Sequence, residues 1–319
     1  MESNPYIHVA AAALIDDRER VLLTQRRAGT HLAGLWEFPG GKVEAYDDGI
    51  RFALIRELQE ELGITPTQYR PLIRVRHCYG GRGVLLDVWR VTAWGGEPQG
   101  REGQPLKWVP VSQLRDWPMP AADVPVVQAL QLPDRYLVTP EPGPDSAAFL
   151  AALEASLQAG VRLVQLRAPR LEAAVLRDLA TRCLSLCHAA GARLLLNGDP
   201  ALALDCGADG VHLNSRQLMD LAARPLPAHL LVGASCHHGR ELSHAARIGA
   251  DFAVLGPVRV TASHPGLGAI GWQRFYHLTD AATLPVYALG GMNLDDQFTA
   301  WRHGAQGIAA IRGLWQAPG

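Results

Sequence analysis

The sequence lacks a charge excess, a cysteine framework and a long apolar run, and each absence argues against a class of protein. The formal net charge of the 319-residue chain is −1, which argues against a generally basic surface that binds nucleic acid. Its five cysteines are an odd number without a Cys-x-x-Cys pair, which argues against a disulfide framework. No apolar stretch approaches the ~20 residues that span a bilayer. We therefore expect a cytoplasmic protein with no membrane segment and no direct nucleic-acid binding.

The composition that is present is that of an ordinary globular protein, with 48% hydrophobic and 19% charged residues. The length is comfortable for two domains, and two textures meet near residue 133. Before it, short alternating segments predict strands around one helix from about Asp48 to Leu62. The segment QLPDRY, residues 131–136, is the expected linker. The expected domains are residues 1–132 and 135–319.

The second part of the chain repeats one pattern of short apolar runs, each followed by a stretch with helical periodicity. The runs occupy residues 136–139, 162–167, 193–197, 210–213, 230–235, 252–257, 286–291 and 307–312. This is the pattern of βα units around a parallel sheet. Eight such units predict a closed (βα)8 TIM barrel and an α/β fold class for the chain.

The segment RELQEELG, residues 56–63, concentrates three glutamates on the predicted helix. Glu60 and Glu61 follow Glu57 by three and four residues, so the three carboxylates share one face. Such a face is either a solvated acidic surface that ends at a glycine cap or a site for a hard divalent cation. Three carboxylates suit magnesium, whereas a structural zinc site would need Cys or His. The triad alone leaves both readings open.

The longer stretch WEFPGGKVEAYDDGIRFALIRELQEELGI, residues 36–64, resembles the Nudix box. The match to Gly-x5-Glu-x7-Arg-Glu-hydrophobic-x-Glu-Glu-x-Gly-hydrophobic is specific at Gly41 and throughout residues 56–64. One extra residue separates Gly41 from Arg56, and Asp47 or Asp48 replaces the usual first glutamate. Counting back from Arg56, Asp48 is the better match. The resemblance therefore implies that Asp48 pairs with Arg56 and supports the loop.

Residues 24–42 and 95–109 resemble the MutT branch of the Nudix family, the 8-oxo-dGTP diphosphatases. The resemblance implies a Nudix α/β/α sandwich with a mixed sheet. It also implies hydrolysis of a nucleoside triphosphate to the monophosphate and pyrophosphate, as in nucleotide pool sanitation and DNA repair. Mg²⁺, with Mn²⁺ as an alternative, would be the cofactor. The implied catalytic and metal-binding set is the Gly40 carbonyl with the carboxylates of Glu57, Glu60, Glu61 and Glu102. Either Glu57 or Glu102 would orient or deprotonate the attacking water.

The same resemblance places a nucleotide pocket at Arg26, His31 and Phe38. Asp123 falls where the MutT branch has an asparagine that reads the oxidised purine. An amide can donate to the purine O6 and accept from N7–H, whereas an ionised aspartate only accepts. Burial would favour the protonated form of Asp123. The reaction class is therefore expected to hold, while the identity of the base depends on this residue.

Residues 135–319 resemble the thiamine phosphate synthase and TenI group, most tellingly at GADGVHL, residues 207–213. Gly290 and Gly291 follow the seventh predicted strand, where barrels often bind phosphate through backbone N–H groups. They are alternatively a tight βα turn. The other candidates for a phosphorylated, thiamine-related ligand at the barrel mouth are Gln165, Arg167, Asn197, His212, Ser235 and His264.

The barrel departs from this resemblance at the magnesium site of the working synthases. Their two aspartates fall on Gly198 and Gln217, with Asp199 one position further along than the first, and His264 replaces a lysine. Without two carboxylates a magnesium–pyrophosphate substrate has little to hold it, so we expect no synthase activity. The barrel is then a phosphate-ligand sensor or docking module. An alternative enzymatic hypothesis makes the Nudix domain a hydrolase of thiamine-related pyrophosphates.

Overall fold

A computed structural model describes residues 6–261 and 268–317 of the chain. It divides into two compact units, of which the first ends at Gln131 and the second begins at Leu132. Each unit has its own hydrophobic core. Within the described ranges, no helix combines the length and apolarity needed to cross a membrane.

From residue 6 onwards, the first unit contains two sheets and two α-helices. Its strands are β1 (Tyr6–Leu14), β2 (Arg20–Gln25), β3 (Trp36–Glu37), β4 (Gly40–Lys42), β5 (Thr65–Tyr79), β6 (Arg82–Gly95) and β7 (Leu106–Pro110). Its helices are α1 (Ile50–Glu61) and α2 (Val124–Gln131), with 3-10 helices at Val111–Asp116 and Ala121–Asp123. One sheet has the order β4-β1-β6-β5, and in it β1 is parallel to β6 and antiparallel to β4. The other has the order β3-β2-β7 and is antiparallel.

The C-terminal half of β1 is a continuous apolar run, and it is buried on both faces. Successive side chains of a strand point to opposite faces. Ala10 and Ala12 accordingly pack in the core that contains α1, whereas Ala11 and Ala13 pack in the core that contains α2. A strand without polar alternation requires cover on both sides. This layering confirms the predicted α/β/α sandwich with a mixed sheet.

The second unit is a closed barrel of parallel strands in the order β10-β11-β12-β13-β14-β15-β8-β9. The strands are β8 (Arg135–Val138), β9 (Leu163–Leu166), β10 (Arg193–Asn197), β11 (Gly210–Leu213), β12 (Leu231–Cys236), β13 (Phe252–Leu255), β14 (Val286–Leu289) and β15 (Gly307–Ala310). The helices are α3 (Ser146–Gln158), α4 (Ala173–Ala189), α5 (Pro200–Asp205), α6 (Ser215–Asp220), α7 (Gly239–Arg247), α8 (Gly271–Asp280) and α9 (Gln297–Arg302), with a 3-10 helix at Leu294–Asp296. The predicted (βα)8 barrel is confirmed.

Large side chains fill the interior of the barrel. The rings of Tyr136, Phe252 and Tyr287 contact one another with centroid distances of 5.1, 5.4 and 5.6 Å. Tyr136, Phe252 and Tyr287 are fully buried, as expected for a packed barrel core. The hydroxyl group of Tyr136 contacts polar side chains of the neighbouring strands, namely Gln165 and His212.

Candidate metal and nucleotide site

The Pro-Gly-Gly turn brings the backbone close to the carboxylates of α1. Gly40 has a φ of +147°, and a Cβ at this position would lie 2.1 Å from the carbonyl oxygen of Ala10. A Cβ at Gly41 would lie 2.3 Å from a carboxylate oxygen of Glu57. The amide of Gly40 donates to Glu61 at 3.0 Å. Two glycines are thus required for Glu57 and Glu61 to reach the turn.

Helix α1 ends one residue before its predicted end and begins two residues after its predicted start. Gly63 has a φ of +74°, and its amide donates to the Gln59 carbonyl at 3.2 Å. The predicted glycine cap is therefore present.

The loop that carries Glu102 is fixed to the C-terminal end of α1. The amide of Arg101 donates to the Glu61 carbonyl at 2.9 Å, and the side chain of Gln104 donates to the same carbonyl at 3.2 Å. The Glu102 amide in turn donates to the Gln104 side chain at 2.9 Å. These bonds bring a residue 41 positions beyond Glu61 to the acidic helix, and they give EGQP a structural role.

Arg56 pairs with Asp47, which corrects the predicted Asp48–Arg56 pair. Its Nε and Nη2 donate to the two carboxylate oxygens of Asp47 at 3.0 and 2.8 Å. Asp47 also accepts from the Glu44 amide at 2.8 Å, which turns it inward, while Asp48 is exposed. The hydrogen bonds from Arg56 lower the pKa of Asp47. The longer loop therefore moves the supporting acid one position towards the N-terminus.

Guanidinium groups bind most of the acids that were expected to hold metal. Nη1 of Arg56 donates to Glu57 at 2.7 Å and to Glu60 at 2.9 Å, and Nη2 of Arg27 donates to Glu102 at 2.8 Å. In residues 6–261 and 268–317, no group of three or more His, Cys, Asp or Glu residues is arranged to hold a metal ion.

The chemistry of the donor set nevertheless fits a hard divalent cation, because all of its members are oxygens. Burial raises the pKa of Glu61 to about 8, and the nearby charges of Glu37, Glu57 and Glu102 act in the same direction, against the Gly40 hydrogen bond. Burial likewise raises the pKa of Glu57. Like charges thus crowd one another here, and a divalent cation would relieve the repulsion.

The predicted nucleotide pocket contains an ion pair that the sequence analysis missed. Arg26 pairs with Glu37 and also donates to the His31 carbonyl at 2.6 Å. The exposed ring of His31 lies edge-on to Tyr79, with a centroid distance of 5.8 Å. The side chain of Phe38 is 4% exposed and packs within the hydrophobic core. Phe38 therefore packs as a core residue of the first unit, and its place in a nucleotide pocket stays a prediction.

Asp123 lies at the end of the 3-10 helix before α2 and is 4% exposed. A neighbouring hydrogen bond, from the Ala122 amide to the Tyr79 hydroxyl at 3.0 Å, attaches this segment to the end of β5. Burial raises the pKa of Asp123 well above its usual value, Glu37 raises it further, and Arg26 opposes the shift. The direction of this shift is the one expected for a buried carboxyl group, namely towards the protonated form.

A chain of hydrogen bonds links polar residues of the barrel. Asn197 donates to Gln165 at 3.1 Å, and Gln165 donates to the Tyr136 hydroxyl at 3.1 Å. His212 contacts the Tyr136 hydroxyl through Nδ1 at 3.0 Å and Ser235 through Nε2 at 2.9 Å. Burial lowers the pKa of His212 to about 3, so the ring is neutral. A neutral imidazole donates through one ring nitrogen and accepts through the other, so His212 is a donor to one of its two hydroxyl partners and an acceptor from the other.

The three positions that were compared with synthase aspartates have structural roles. Gly198 has a φ of +129°, which L side chains rarely adopt. The Asp199 side chain accepts from the Ala201 amide at 2.9 Å and caps α5. Gln217 forms a capping box with Asn214 at the start of α6. None of the three places a free carboxylate at the barrel mouth.

Gly290 and Gly291 line a cavity of about 200 Å³ together with His237 and Arg312. Both glycines have a positive φ, +107° and +69°. This conformation is compatible with a tight βα turn and also with a ligand site. The amide of Arg167 donates to Thr139 at 3.0 Å, and its side chain is partly exposed. His264 lies outside the described residues.

Several residues of the first unit were missed for identifiable reasons. Glu37 lies just before the Pro-Gly-Gly turn, so its acidic side chain could have been recognised as a candidate from the sequence. In the structure it belongs to the two-residue strand β3. Arg27 and Tyr79 had no sequence signal, because their partners lie 75 and 43 residues away.

The N-terminal and C-terminal parts of the chain match two different families of known proteins. The family described as "NUDIX domain" matches residues 10–129, and the family described as "Thiamine monophosphate synthase" matches residues 135–314. The 8-oxo-dGTP diphosphatase of Escherichia coli is 35% identical over 125 residues, which cover 39% of this chain and 96% of that protein. The thiamine-phosphate synthase of Thermus thermophilus is 36% identical over 183 residues, which cover 57% of this chain and 88% of that protein.

A solved structure from work on MutT of Aliivibrio salmonicida and Vibrio cholerae is 36% identical. It covers 39% of this chain and 96% of its own, with a TM-score of 0.35. The two family matches each lie within a single unit of the fold. The chain therefore belongs to the Nudix family through its N-terminal domain, which is related to 8-oxo-dGTP diphosphatase, and to the thiamine monophosphate synthase family through its C-terminal barrel.

Proposed function

We propose that the N-terminal domain hydrolyses nucleoside triphosphates with the help of Mg²⁺ and that 8-oxo-dGTP is the preferred substrate. The proposal rests on one observation. Hydrogen bonds of Gly40, Arg101 and Gln104 join the Pro-Gly-Gly turn, α1 and the Glu102 loop. These bonds connect the three segments that carry the proposed oxygen donors, which supports the proposal. The 96% coverage of the Escherichia coli 8-oxo-dGTP diphosphatase gives further support.

In the proposed reaction, water attacks phosphorus and one phosphoanhydride bond breaks, which yields the nucleoside monophosphate and pyrophosphate. A bound divalent cation would neutralise part of the negative charge on the phosphates. The residues that would hold it are Gly40 through its carbonyl and Glu57, Glu60, Glu61 and Glu102 through their carboxylates. Glu57 or Glu102 orients the water or accepts its proton. Arg56, fixed by Asp47, keeps Glu57 and Glu60 oriented.

The first experiment measures Mg²⁺-dependent pyrophosphate release by the full chain on 8-oxo-dGTP, with dGTP and thiamine diphosphate at matched concentrations. We expect 8-oxo-dGTP to react fastest. Glu60→Gln should lower turnover, whereas Glu97→Gln, at an exposed acid outside the proposed ligand set, should leave it unchanged. If Glu60→Gln left turnover unaltered, Glu60 would not belong to the site. A preference for thiamine diphosphate would favour the alternative hydrolase hypothesis.

We propose in addition that the barrel binds a phosphorylated, thiamine-related ligand without synthesising thiamine phosphate. The positive φ of Gly198 and the capping roles of Asp199 and Gln217 favour this second function. The candidate contacts are Gln165, Arg167, Asn197, His212, Ser235, Gly290 and Gly291. Titration of the full chain with thiamine phosphate should show saturable binding, and Ser235→Ala should weaken it. Formation of thiamine phosphate from its pyrimidine and thiazole precursors would contradict the proposal.

A further inference from the structure

The cavity beside Gly290 and Gly291 combines an unpaired cation with a lining that contains no acid. Among the described residues that line it, Arg312 alone has a permanent positive charge, and none has a carboxylate. The guanidinium group of Arg312 is exposed, and in the described part of the chain it forms no hydrogen bond or ion pair. Apart from His237 and Thr261, the other side chains of the lining are apolar. This combination suits an anionic ligand.

Backbone N–H groups of two loops add further donors at the same cavity. The amides of Gly290 and Gly291, after β14, and of Arg312 and Gly313, after β15, donate to no acceptor within residues 6–261 and 268–317. All four residues line the cavity. Successive backbone N–H groups in a turn form a concave site for an anion. An anion in this cavity would therefore have access to backbone donors from both loops and to one guanidinium group.

The other basic side chains near the cavity are already held by protein groups. Arg259, beside the glycine turn, binds the buried Asp296 at 3.0 and 2.6 Å. Nδ1 of His237 contacts the Gly256 carbonyl at 2.8 Å, and Nδ1 must carry the proton because a carbonyl only accepts. Nε2 of the neutral ring then has no proton to donate to a phosphate. Arg312 is therefore the cation that is free to answer the charge of a ligand.

The size of the cavity suits one end of a ligand. Its volume of about 200 Å³ is below the roughly 300–1,000 Å³ of pockets that enclose a drug-sized molecule. A Cβ at Gly290 would lie 2.7 Å from the Cα of Pro257, so the backbone of the turn itself forms this part of the wall. A phosphate group matches the small volume, the N–H donors and the guanidinium fork.

We propose that Arg312 recognises the phosphate group of the barrel ligand and that it does so without a divalent cation; this deepens, and rests on, the proposed binding of a phosphorylated ligand by the barrel. A guanidinium group can bind phosphate through two parallel hydrogen bonds and neutralise part of its charge. A magnesium ion would need carboxylates for that task, and the described lining supplies none. The arginine thus takes over the charge neutralisation that a metal would provide.

The test measures binding of inorganic phosphate and of thiamine phosphate to the full chain by calorimetry, with a chelator present. We expect both to bind. Arg312→Gln should weaken both affinities by about ten- to a hundredfold, as for loss of a hydrogen bond to a charged group. Arg312→Lys should recover only part of the loss, because it keeps the charge but not the planar fork. Arg274→Gln, at an exposed arginine outside the cavity lining, should change neither affinity.

Equal affinities in Arg312→Gln and in the unaltered protein would overturn the inference, as would phosphate binding that appears only after Mg²⁺ is added. Thermal unfolding of each variant checks that the fold is retained. If inorganic phosphate bound through Arg312 and thiamine phosphate did not bind, the inference would stand and the thiamine-related ligand would be wrong. Absence of binding by both compounds would contradict the inference and the proposed barrel function together.

Discussion

Arg56 binds three acids at once, and this single side chain organises much of the proposed site. It forms two hydrogen bonds to Asp47 and one each to Glu57 and Glu60. A planar guanidinium suits such a task because its donors are held in fixed directions. The two bonds to Asp47 fix the orientation of the group, and the remaining nitrogen then restrains the two glutamates. Residues that orient metal ligands in this way often matter as much as the ligands themselves.

The two neighbouring aspartates of the loop give a matched pair of variants. Asp47→Asn should weaken Mn²⁺ binding and lower Mg²⁺-dependent turnover by about ten- to a hundredfold, because Arg56 loses its charged anchor. Asp48→Asn should change neither, since Asp48 is exposed. Metal titration and steady-state kinetics on both proteins provide the measurement. Equal losses in the two variants would contradict the role assigned to Asp47.

At the scale of secondary-structure elements, the site depends on how closely the Pro-Gly-Gly turn approaches α1. The turn lies against β1 on one side and against Glu57 on the other, and neither approach leaves room for a Cβ atom. The loop with Glu102 is fixed to the C-terminal end of α1 by backbone hydrogen bonds. Regular elements thus carry the proposed ligands other than Glu102, while glycines and loop hydrogen bonds set the distances between them.

Gly41→Ala should displace the Glu57 carboxylate, because the added Cβ would lie 2.3 Å from one of its oxygens. A displacement of about 1 Å at a reacting group can lower turnover by roughly a hundredfold. The long side chain of Glu57 can move, so the fold should persist. Gly95→Ala is the control, since no atom lies within 4 Å of its added Cβ. Kinetics and thermal unfolding of both variants test this, and full activity of Gly41→Ala would refute it.

At the scale of the whole molecule, the two units have separate hydrophobic cores. The cores on the two faces of β1 belong to the first unit, and the barrel has one core between strands and helices and one in its interior. Domains with their own cores often unfold in separate transitions, so a single free energy of unfolding does not describe the chain. The proposed hydrolase and the proposed ligand-binding barrel are therefore expected to respond separately to destabilisation.

Core truncations should separate the two transitions. Leu58→Ala, in the first unit, and Leu194→Ala, in the barrel, each remove a side chain that is at most 1% exposed. Each should cost about 2–5 kcal/mol of the free energy of unfolding of its own unit. Differential scanning calorimetry of the full chain should show that each substitution lowers one transition and leaves the other in place. A common shift of both transitions would show that the units unfold together.

The amino-acid sequence by itself determined the two-domain division of the fold, the apolar runs of all eight barrel strands and the acidic face of α1. These features depend on periodicity and on short motifs, which local backbone geometry translates directly into structure. The Nudix box also carried the proposed metal ligands other than Glu102, since their spacing is that of a single helix and its turn.

Only the tertiary structure decided which groups pair within that frame. It selected Asp47 over Asp48 as the partner of Arg56, because the path of the longer loop turns one side chain inward. It assembled Glu37, Arg26 and Asp123 from segments separated by as many as 97 positions, and it showed that Asp199 and Gln217 cap helices. Electrostatic partners and burial depend on distances between remote parts of the chain, and those distances exist only once the cores have packed.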